Sequence, residues 1–199
     1  MNEQQFEQLL NIDTAGNQYG FPKDIHYHRY EPTPYVGLEQ LFKNYDLPEN
    51  AHFIDIGCGK GRVPFYIHHF FHIPVTGIEM DAYFFEEAQK NKAFYLQKTR
   101  KRGGEITFLY ILAQKYEISE RDNVFFFFNP FSIQIFRIVM KHILQSIELK
   151  PRMVDIILYY PSQDYLHYLL YETAFELFVE VPLENETNIN ERICVFRYV

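Results

Sequence analysis

The 199-residue sequence is poor in cysteine, lacks tryptophan and has no long apolar run. Its two cysteines, Cys58 and Cys194, are too few for a disulfide-stabilised scaffold. The longest unbroken apolar run lies near residues 124–128, far short of the ~20 residues that a membrane-spanning helix needs. Residues 1–5 are polar and acidic and lack the basic and apolar regions of a secretory signal. We therefore expect a cytoplasmic protein with free thiols and no membrane association.

Positive charge is also scarce, because 19 Lys and Arg face 26 Asp and Glu and give a net charge of −7. That balance disfavours electrostatic capture of nucleic acid, duplex DNA above all. A basic run at residues 98–102 keeps RNA open as a partner, although a solvated helix end, favoured by the helix dipole, explains the same run. Apolar bulk is plentiful: 47% of the residues are hydrophobic, and 20 phenylalanines and 16 tyrosines exclude an intrinsically disordered chain.

Strand-like and helix-like stretches alternate from residue 51 onward. Such alternation predicts a doubly wound α/β fold, in which a mostly parallel sheet carries helices on both faces. The last two predicted strands have no helix between them, so we expect them to form a C-terminal antiparallel hairpin that completes a seven-stranded sheet. The predicted strands span residues 52–56, 75–79, 105–111, 123–128, 154–160, 175–181 and 192–199. The predicted helices span residues 62–71, 82–101, 132–149 and 162–172, with Ser132 as the N-cap of the third.

The first fifty residues depart from this pattern. We expect residues 1–50 to form a helical and aromatic arm that packs on an α/β domain of residues 51–199. The arm begins with a predicted amphipathic helix from Glu3 to Leu10, and a second helix is predicted from Pro34 to Tyr45 with Thr33 as its cap. The segment that joins the two helices is rich in aromatic side chains, namely Tyr19, Phe21, Tyr27, Tyr30 and Tyr35.

The most informative stretch ends the first predicted strand of the α/β domain. It reads Asp55-Ile56-Gly57-Cys58-Gly59-Lys60-Gly61, and a predicted helix follows directly. Glycines permit a tight turn and let a ligand approach the backbone. The N-terminus of the helix adds unpaired N–H groups and a partial positive charge. In a doubly wound sheet, ligands bind at this place.

Two common phosphate-binding loops do not fit this stretch. A dinucleotide fingerprint needs glycine at the position of Arg62. The phosphate loop of nucleotide hydrolases needs Ser or Thr after a Gly-Lys pair, whereas Lys60 is followed by Gly61. The sequence has instead an acid at the end of the next strand, Glu79, 22 residues after Gly57.

This combination resembles the class I S-adenosylmethionine-dependent methyltransferases, and the resemblance covers about residues 50–199. It implies the seven-stranded fold, S-adenosylmethionine as the cofactor and a methyl-transfer activity. The backbone of the three loop glycines would lie against the methionine and adenosine portions of the cofactor. The cofactor-binding positions that we expect are Asp55, Gly57, Cys58, Gly59, Gly61, Glu79, Met80, Gln114, Asn129, Tyr30 and Thr33.

The resemblance also implies individual roles. Asp55 would face the cationic end of the cofactor, Glu79 would accept hydrogen bonds from both ribose hydroxyls, and Met80 would pack against adenine. Members of the family often carry a further acid that accepts the adenine amino group; this chain has none there, and Gln114 would substitute with its carbonyl oxygen. Cys58 reads as a small apolar filler of the loop, because no histidine lies near it in the sequence to make it a nucleophile.

The fourth predicted strand ends in Asn129-Pro130-Phe131. It is similar to the Asn/Asp-Pro-Pro-aromatic motif of family members that methylate nitrogen, although the second proline is absent. In that motif the Asn oxygen and a proline carbonyl accept hydrogen bonds from the target amine, and the ring stacks on a planar acceptor. Asn129, Pro130 and Phe131 are therefore the predicted catalytic residues. The alternative is that Asn-Pro merely turns the chain before the next helix.

Two further groups of residues have competing explanations. Tyr30 and Thr33 are the arm residues that we expect to contact the cofactor, although the arm's rings equally suit a cover for the sheet edge. His68, His69 and His72 suggest a metal site by their spacing, but no acidic or cysteine partner is near and Phe70-Phe71 indicates a packed helix, so no metal is expected.

The sequence thus predicts an S-adenosylmethionine-dependent methyltransferase whose acceptor is a nitrogen on a small molecule or a protein side chain. Methyl transfer is a displacement that the cofactor itself drives, so the protein mainly positions the reactants. A non-catalytic S-adenosylmethionine-binding module and an RNA methyltransferase remain alternatives. A nicotinamide-dependent oxidoreductase is disfavoured by Arg62 and by the final hairpin.

Overall fold

The computed structural model describes residues 1–16, 26–99, 104–183 and 191–199. The expectations for Tyr19 and Phe21, for the basic residues at 100–102 and for most of the loop before the last strand lie outside these ranges. The strands are β1 Phe53–Ile56, β2 Val75–Glu79, β3 Ile106–Tyr110, β4 Val124–Phe127, β5 Val154–Tyr159, β6 Glu176–Pro182 and β7 Arg192–Tyr198. The helices are α1 Glu3–Leu10, α2 Tyr35–Asn44, α3 Arg62–Phe71, α4 Ala82–Thr99, α5 Ile133–Leu149 and α6 Gln163–Glu172.

The strands form one seven-stranded sheet in the order β3-β2-β1-β4-β5-β7-β6. Strands β1 to β5 run parallel to one another, with Phe53 of β1 beside Val75 of β2 and Val124 of β4. Strand β7 is antiparallel to both β5 and β6. The predicted fold class, a mostly parallel sheet with a C-terminal antiparallel hairpin, is confirmed. The chain reverses its direction of winding between β1 and β4, and this switch point is where such sheets bind ligands.

Strands β1 and β4 are buried on both faces, which the uninterrupted apolar sequence of β4 predicts. Successive side chains of a strand point to opposite faces, so the phenylalanines of β4 fill two separate clusters. Phe126 lies in one cluster with Phe53, and Phe125 and Phe127 lie in the other. The sheet is therefore packed between two apolar layers, and polar groups are left to the ends of its strands.

Helices α1 and α2 of the first fifty residues pack on one face of the sheet. Phe6 and Leu10 of α1 and Leu38 of α2 belong to the same buried cluster as Phe53. The division of the chain at residue 50 remains a prediction, but α1 and α2 share a core with the α/β layers. Among the described helices, none combines the length and the apolar character that crossing a membrane requires.

The cap residues differ in part from the expectation. Thr33 is not the cap of α2: the N-cap position is Pro34, and no side chain caps this end. Thr33 is instead buried, and its carbonyl oxygen accepts a hydrogen bond from Arg62. Ser132 does occupy the N-cap position of α5, but its hydroxyl makes no capping bond and lies 3.0 Å from Nδ1 of His26. Both differences arise from contacts with residues far away in the sequence.

Candidate functional site

A cavity of about 550 Å³ opens at the carboxyl ends of β1, β2 and β4. Its size is typical of small-molecule sites. Its walls come from the glycine loop, the turn after β2, the segment after β4 and the arm between residues 27 and 33. The predicted site residues that line it are Tyr30, Thr33, Asp55, Gly57, Cys58, Glu79, Met80, Pro130 and Phe131. Those that do not line it are Gly59, Gly61, Gln114 and Asn129.

The three glycines of the loop all have left-handed backbone angles, with φ of 83° at Gly57, 53° at Gly59 and 90° at Gly61. Residues with a side chain rarely adopt this region. There is also no room for a Cβ atom: at Gly57 it would lie 2.9 Å from Pro130, and at Gly59 it would lie 2.1 Å from the ring of Tyr30. The glycines thus let the segment after β4 and the arm approach the loop.

Glu79 holds the glycine loop to the end of β2. Its carboxylate accepts three backbone N–H groups at 2.8 Å, from Met80 and Asp81 on one oxygen and from Gly59 on the other. Burial raises the pKa of Glu79, and these three hydrogen bonds oppose that rise. Glu79 lines the cavity, and its carboxylate keeps lone pairs beyond these three bonds.

Asp55 is a buried acid without such support. It is 3% exposed and lines the cavity, and no hydrogen bond from the described residues reaches its carboxylate. Burial raises the pKa of Asp55 well above its usual range, and the charge of Glu79 raises it further. A buried carboxylate without a donor or a cation is costly. The cavity wall therefore offers an acceptor that a cationic or hydrogen-bond-donating ligand would satisfy.

The thiol of Cys58 lies in the same wall but is poorly suited to attack a substrate. Burial raises its pKa well above the usual range, and the charges of Asp55 and Glu79 add to this effect. A thiol must ionise to act as a nucleophile, so this environment favours the inert form. Its sulfur would lie 2.7 Å from a Cβ at Gly77, which agrees with a role as a small filler.

Arg62, which the sequence marks only as an exception to the dinucleotide fingerprint, joins the arm to the glycine loop. The side chain is 5% exposed and lines the cavity. Its guanidinium donates to Oγ1 of Thr14 at 2.7 Å, to the carbonyl of Thr33 at 3.1 Å and to Oε1 of Glu7 at 3.3 Å. It also donates to Oε2 of Glu3 at 2.5 Å. No local pattern marks these partners, because they lie 29 to 59 positions away.

Further contacts around the Arg62 guanidinium connect the parts of the arm to one another. Tyr35 stacks under the guanidinium at 4.5 Å and donates its hydroxyl to Glu7 at 2.8 Å. The backbone N–H of Thr14 also donates to Glu7, at 2.7 Å. The carbonyl of Thr14 accepts from the hydroxyl of Tyr30 at 2.9 Å, and the ring of Tyr30 packs on Phe84 with centroids 4.5 Å apart. One network thus runs from α1 to the ring that covers Gly59.

A short arm segment, His26–His28, pairs with the segment after β4. Tyr27 and Phe131 form an antiparallel bridge. The N–H of His28 donates to the carbonyl of Pro130 at 3.0 Å, and the N–H of Ser132 donates to the carbonyl of His26 at 2.8 Å. The arm therefore lies across the predicted acceptor motif.

This pairing affects the residues that were expected to receive substrate and adenine. The carbonyl of Pro130 is already engaged by His28. Asn129 has a left-handed φ of 41°, which Asn adopts more readily than most residues, and its Oδ1 is buried with no hydrogen-bond partner among the described residues. Gln114 donates its amide N–H to the hydroxyl of Tyr27 at 3.3 Å, and no described residue donates to its buried Oε1. The roles of Asn129 and Gln114 remain predictions.

The histidines of α3 take part in packing. The ring nitrogens of His68 lie 2.7 Å from the hydroxyl of Tyr95 and 2.7 Å from the carbonyl of Gly104, so both are in use. Burial lowers the pKa of His68 and favours its neutral form. Within residues 1–16, 26–99, 104–183 and 191–199, no group of three His, Cys, Asp or Glu is arranged to hold a metal ion.

The basic run at the end of α4 is described only at its start. Lys98 donates to the backbone carbonyl of Gln8 at 2.6 Å, so this cation caps the end of a neighbouring segment of the arm. Residues 100–103 lie outside the described ranges. RNA binding through this run remains a prediction.

Of the comparisons with known proteins, only the one with solved structures supports the fold. No protein-family model and no curated protein sequence matches the chain. Among solved structures, 617 chains match. One is magnesium protoporphyrin IX methyltransferase (ChlM) from Synechocystis PCC 6803 with bound S-adenosylmethionine. It has a TM-score of 0.53 and 12% identity over 82% of this chain and 75% of that chain.

Two other solved structures show the same likeness. An RNA methyltransferase from Salinibacter ruber in complex with S-adenosyl-L-homocysteine has a TM-score of 0.56 and 17% identity over 84% of this chain and 92% of that chain. The N-methyltransferase NodS from Bradyrhizobium japonicum WM9 has a TM-score of 0.51 and 11% identity over 82% of this chain and 90% of that chain. At such identities the likeness shows the fold: this chain has the Rossmann-like fold of the class I S-adenosylmethionine-dependent methyltransferases.

The ion pair of Arg62 gives a prediction about stability. Arg62→Met leaves the partly buried Glu7 without its cation, and Glu7→Gln leaves the buried Arg62 short of an anion; removing one partner of such a pair costs about 3 kcal/mol. We expect each single variant to lose about that much free energy of unfolding in urea titrations. The double variant should lose clearly less than the sum of the two losses, and strict additivity would show that the pair is not coupled.

Proposed function

We propose that this protein is an S-adenosylmethionine-dependent methyltransferase. The observation that carries the proposal is the carboxylate of Asp55, which is buried in the cavity wall beside the glycine loop and receives no hydrogen bond from the described residues. S-adenosylmethionine brings an ammonium group, a sulfonium group and a ribose with two hydroxyls. A ligand with these features supplies the positive charge that Asp55 lacks and hydrogen-bond donors for the remaining lone pairs of Glu79.

The residues that line the cavity fit the ammonium group, the ribose and one face of the adenine of such a cofactor. Asp55 would hold the ammonium group, and the backbone from Gly57 to Gly61 would lie along the methionine portion. Glu79 would receive the ribose, and Met80, which is 37% exposed at the cavity mouth, would cover one face of the adenine. Gln114 would receive the adenine amino group only if its buried oxygen became accessible.

The arm would complete this cofactor site. Tyr30 and Thr33 line the cavity, and the network around Arg62 holds both of them against the glycine loop. We propose that residues 1–50 act as this cover on a cofactor-binding domain of residues 51–199. The cytoplasmic location remains a prediction.

The bound cofactor supplies an activated methyl group, and the chain's own residues supply position and exclusion of water. Pro130 and Phe131 line the cavity at the end of β4, where the methyl acceptor would lie. We propose a nitrogen on a small molecule or a protein side chain as the acceptor. The support is the resemblance of Asn129-Pro130-Phe131 to the motif of nitrogen methyltransferases, of which Pro130 and Phe131 line the cavity.

A transfer assay with labelled methyl groups tests the proposed activity. The purified protein is incubated with S-adenosylmethionine carrying a labelled methyl group and with cell extract divided into protein, RNA and small-molecule fractions. We expect label in the protein or small-molecule fraction. If the label appeared only in the RNA fraction, the acceptor would be RNA and not a small molecule or a protein side chain. Cofactor binding without transfer to any fraction would favour the non-catalytic binding module.

Replacing Glu79 tests the ribose contact. Glu79→Ala removes a carboxylate that also holds the N–H of Gly59, so we expect S-adenosylhomocysteine to bind at least about tenfold more weakly, or about 1.4 kcal/mol. Isothermal titration calorimetry measures this change. The matched control is Glu86→Ala, because Glu86 is exposed on α4 and does not line the cavity. Equal affinity in the Glu79 variant would place the ribose elsewhere.

The raised pKa of Asp55 gives a prediction about pH. A carboxyl whose pKa is raised in the free protein is protonated at acidic pH, and the ammonium group of the ligand binds the ionised form better. We therefore expect the affinity for S-adenosylhomocysteine to rise as the pH is raised from acidic towards neutral. In Asp55→Asn the affinity should be lower at neutral pH and change less with pH. A parental affinity that falls as pH rises would contradict the assigned contact.

A further inference from the structure

His28 lines the cavity together with Pro130 and Phe131, where the methyl acceptor would lie. The proposed function gives this titratable side chain no role. Its Nδ1 lies 2.6 Å from the backbone carbonyl oxygen of Asn129. A carbonyl oxygen only accepts hydrogen bonds, so Nδ1 must carry the hydrogen. In the neutral imidazole the lone pair is then on Nε2. The partner of one ring nitrogen thus fixes the tautomer and makes the other nitrogen a proton acceptor.

The backbone fixes the position of the ring. The N–H of His28 donates to the carbonyl of Pro130, and the preceding residue, Tyr27, forms the bridge to Phe131. Tyr27 and Phe131 also meet edge to face, with ring centroids 6.4 Å apart. Three contacts therefore hold His28 against the segment after β4, and its side chain lines the cavity together with Pro130 and Phe131.

The same contacts occupy backbone hydrogen-bond acceptors of the segment after β4. His28 already engages the backbone oxygens of both Asn129 and Pro130. Oδ1 of Asn129 is buried, and Asn129 does not line the cavity. His28 is exposed and lines the cavity, and no described residue donates a hydrogen bond to its Nε2, so this lone pair is available to solvent or to a molecule in the cavity.

The geometry points to His28 as the general base of the methyl transfer, an inference that rests on the proposed function. The lone pair of the acceptor nitrogen attacks the methyl carbon and forms the N–C bond. The S–C bond of the sulfonium donor breaks, and its electron pair stays on sulfur, which becomes a neutral thioether. The proton that the acceptor nitrogen sheds passes to Nε2 of His28, and the resulting imidazolium keeps its Nδ1–H bond to Asn129 before it releases the proton to water.

This role narrows the acceptor to groups that lose a proton when they are methylated, such as an N–H. The base would be carried by the arm, whereas the cofactor contacts come mostly from the sheet edge. For turnover, the arm must then be correctly positioned relative to the carboxyl ends of the strands. The pairing of residues 26–28 with the segment after β4 fixes this position.

The tautomer can be tested without any acceptor. Long-range ¹H–¹⁵N correlation NMR on ¹⁵N-histidine-labelled protein, free and with S-adenosylhomocysteine, reports which ring nitrogen is protonated; the His28 signal is identified by its loss in His28→Asn. We expect hydrogen on Nδ1 and a bare Nε2 at alkaline pH. Hydrogen on Nε2 would overturn the proposal, because that nitrogen could not then accept a proton.

Matched variants separate a base from a structural contact. His28→Asn keeps an amide N–H that can donate to the carbonyl of Asn129 but has no base, whereas His28→Ala loses both. His167→Asn makes the same change on an exposed position of α6 and is the control. With labelled S-adenosylmethionine and the extract fraction that accepts label, we expect both His28 variants to be at least about 100-fold slower in kcat, and added imidazole to restore part of the His28→Ala rate.

The affinity of these variants for S-adenosylhomocysteine should stay within about twofold of the parental value, because His28 is not among the cofactor contacts. Parental turnover in His28→Asn would overturn the proposal and leave His28 a purely structural contact. Failure of the parental protein to bind S-adenosylhomocysteine would instead remove the proposed function itself, so the two failures are distinguishable.

Discussion

The structure depends most on the buried guanidinium of Arg62. A cation that is 5% exposed is tolerated only where anions and hydrogen-bond acceptors surround it, and Glu7, Thr14 and Thr33 supply them. These partners all precede the sheet in the chain, whereas Arg62 opens the helix after the glycine loop. The α/β layers therefore cannot bury this cation properly unless the N-terminal segment is in place. The same contact that stabilises the fold also fixes the cover of the cavity.

Two acids of the cavity differ in what the protein does for them. Glu79 is satisfied by three backbone N–H groups and thereby fastens the glycine loop to the end of β2. Asp55 receives no hydrogen bond from the described residues, although it is equally buried. The hydrogen bonds of Glu79 thus stabilise the fold without any ligand. The free-energy cost of burying Asp55, in contrast, is offset only when a ligand binds. This asymmetry is the physical reason for expecting a cationic group next to Asp55.

Local signals in the sequence predict much of this structure. The bounds of α3 and β2 coincide with the prediction because Gly61 precedes the helix and Pro74 precedes the strand. Long-range contacts were not predictable in this way. Nothing in the spacing shows that His26–His28 pairs with the segment after β4, or that Thr33 gives its carbonyl to Arg62 and leaves the cap of α2 to Pro34. The glycine loop, its two acids, and Tyr30 and Thr33 of the arm were therefore expected near the cavity from the sequence, and they line it. The long-range contacts that hold the arm there could not be predicted.

The central claim is that the cavity beside Asp55 and Glu79 holds S-adenosylmethionine. The most direct measurement is a calorimetric titration of the purified protein with S-adenosylhomocysteine, run beside an identical titration with NAD. We predict saturable binding of one S-adenosylhomocysteine per chain and none of NAD. No binding of S-adenosylhomocysteine at about 1 mM, which corresponds to less than about 4.1 kcal/mol of binding free energy, would contradict the account.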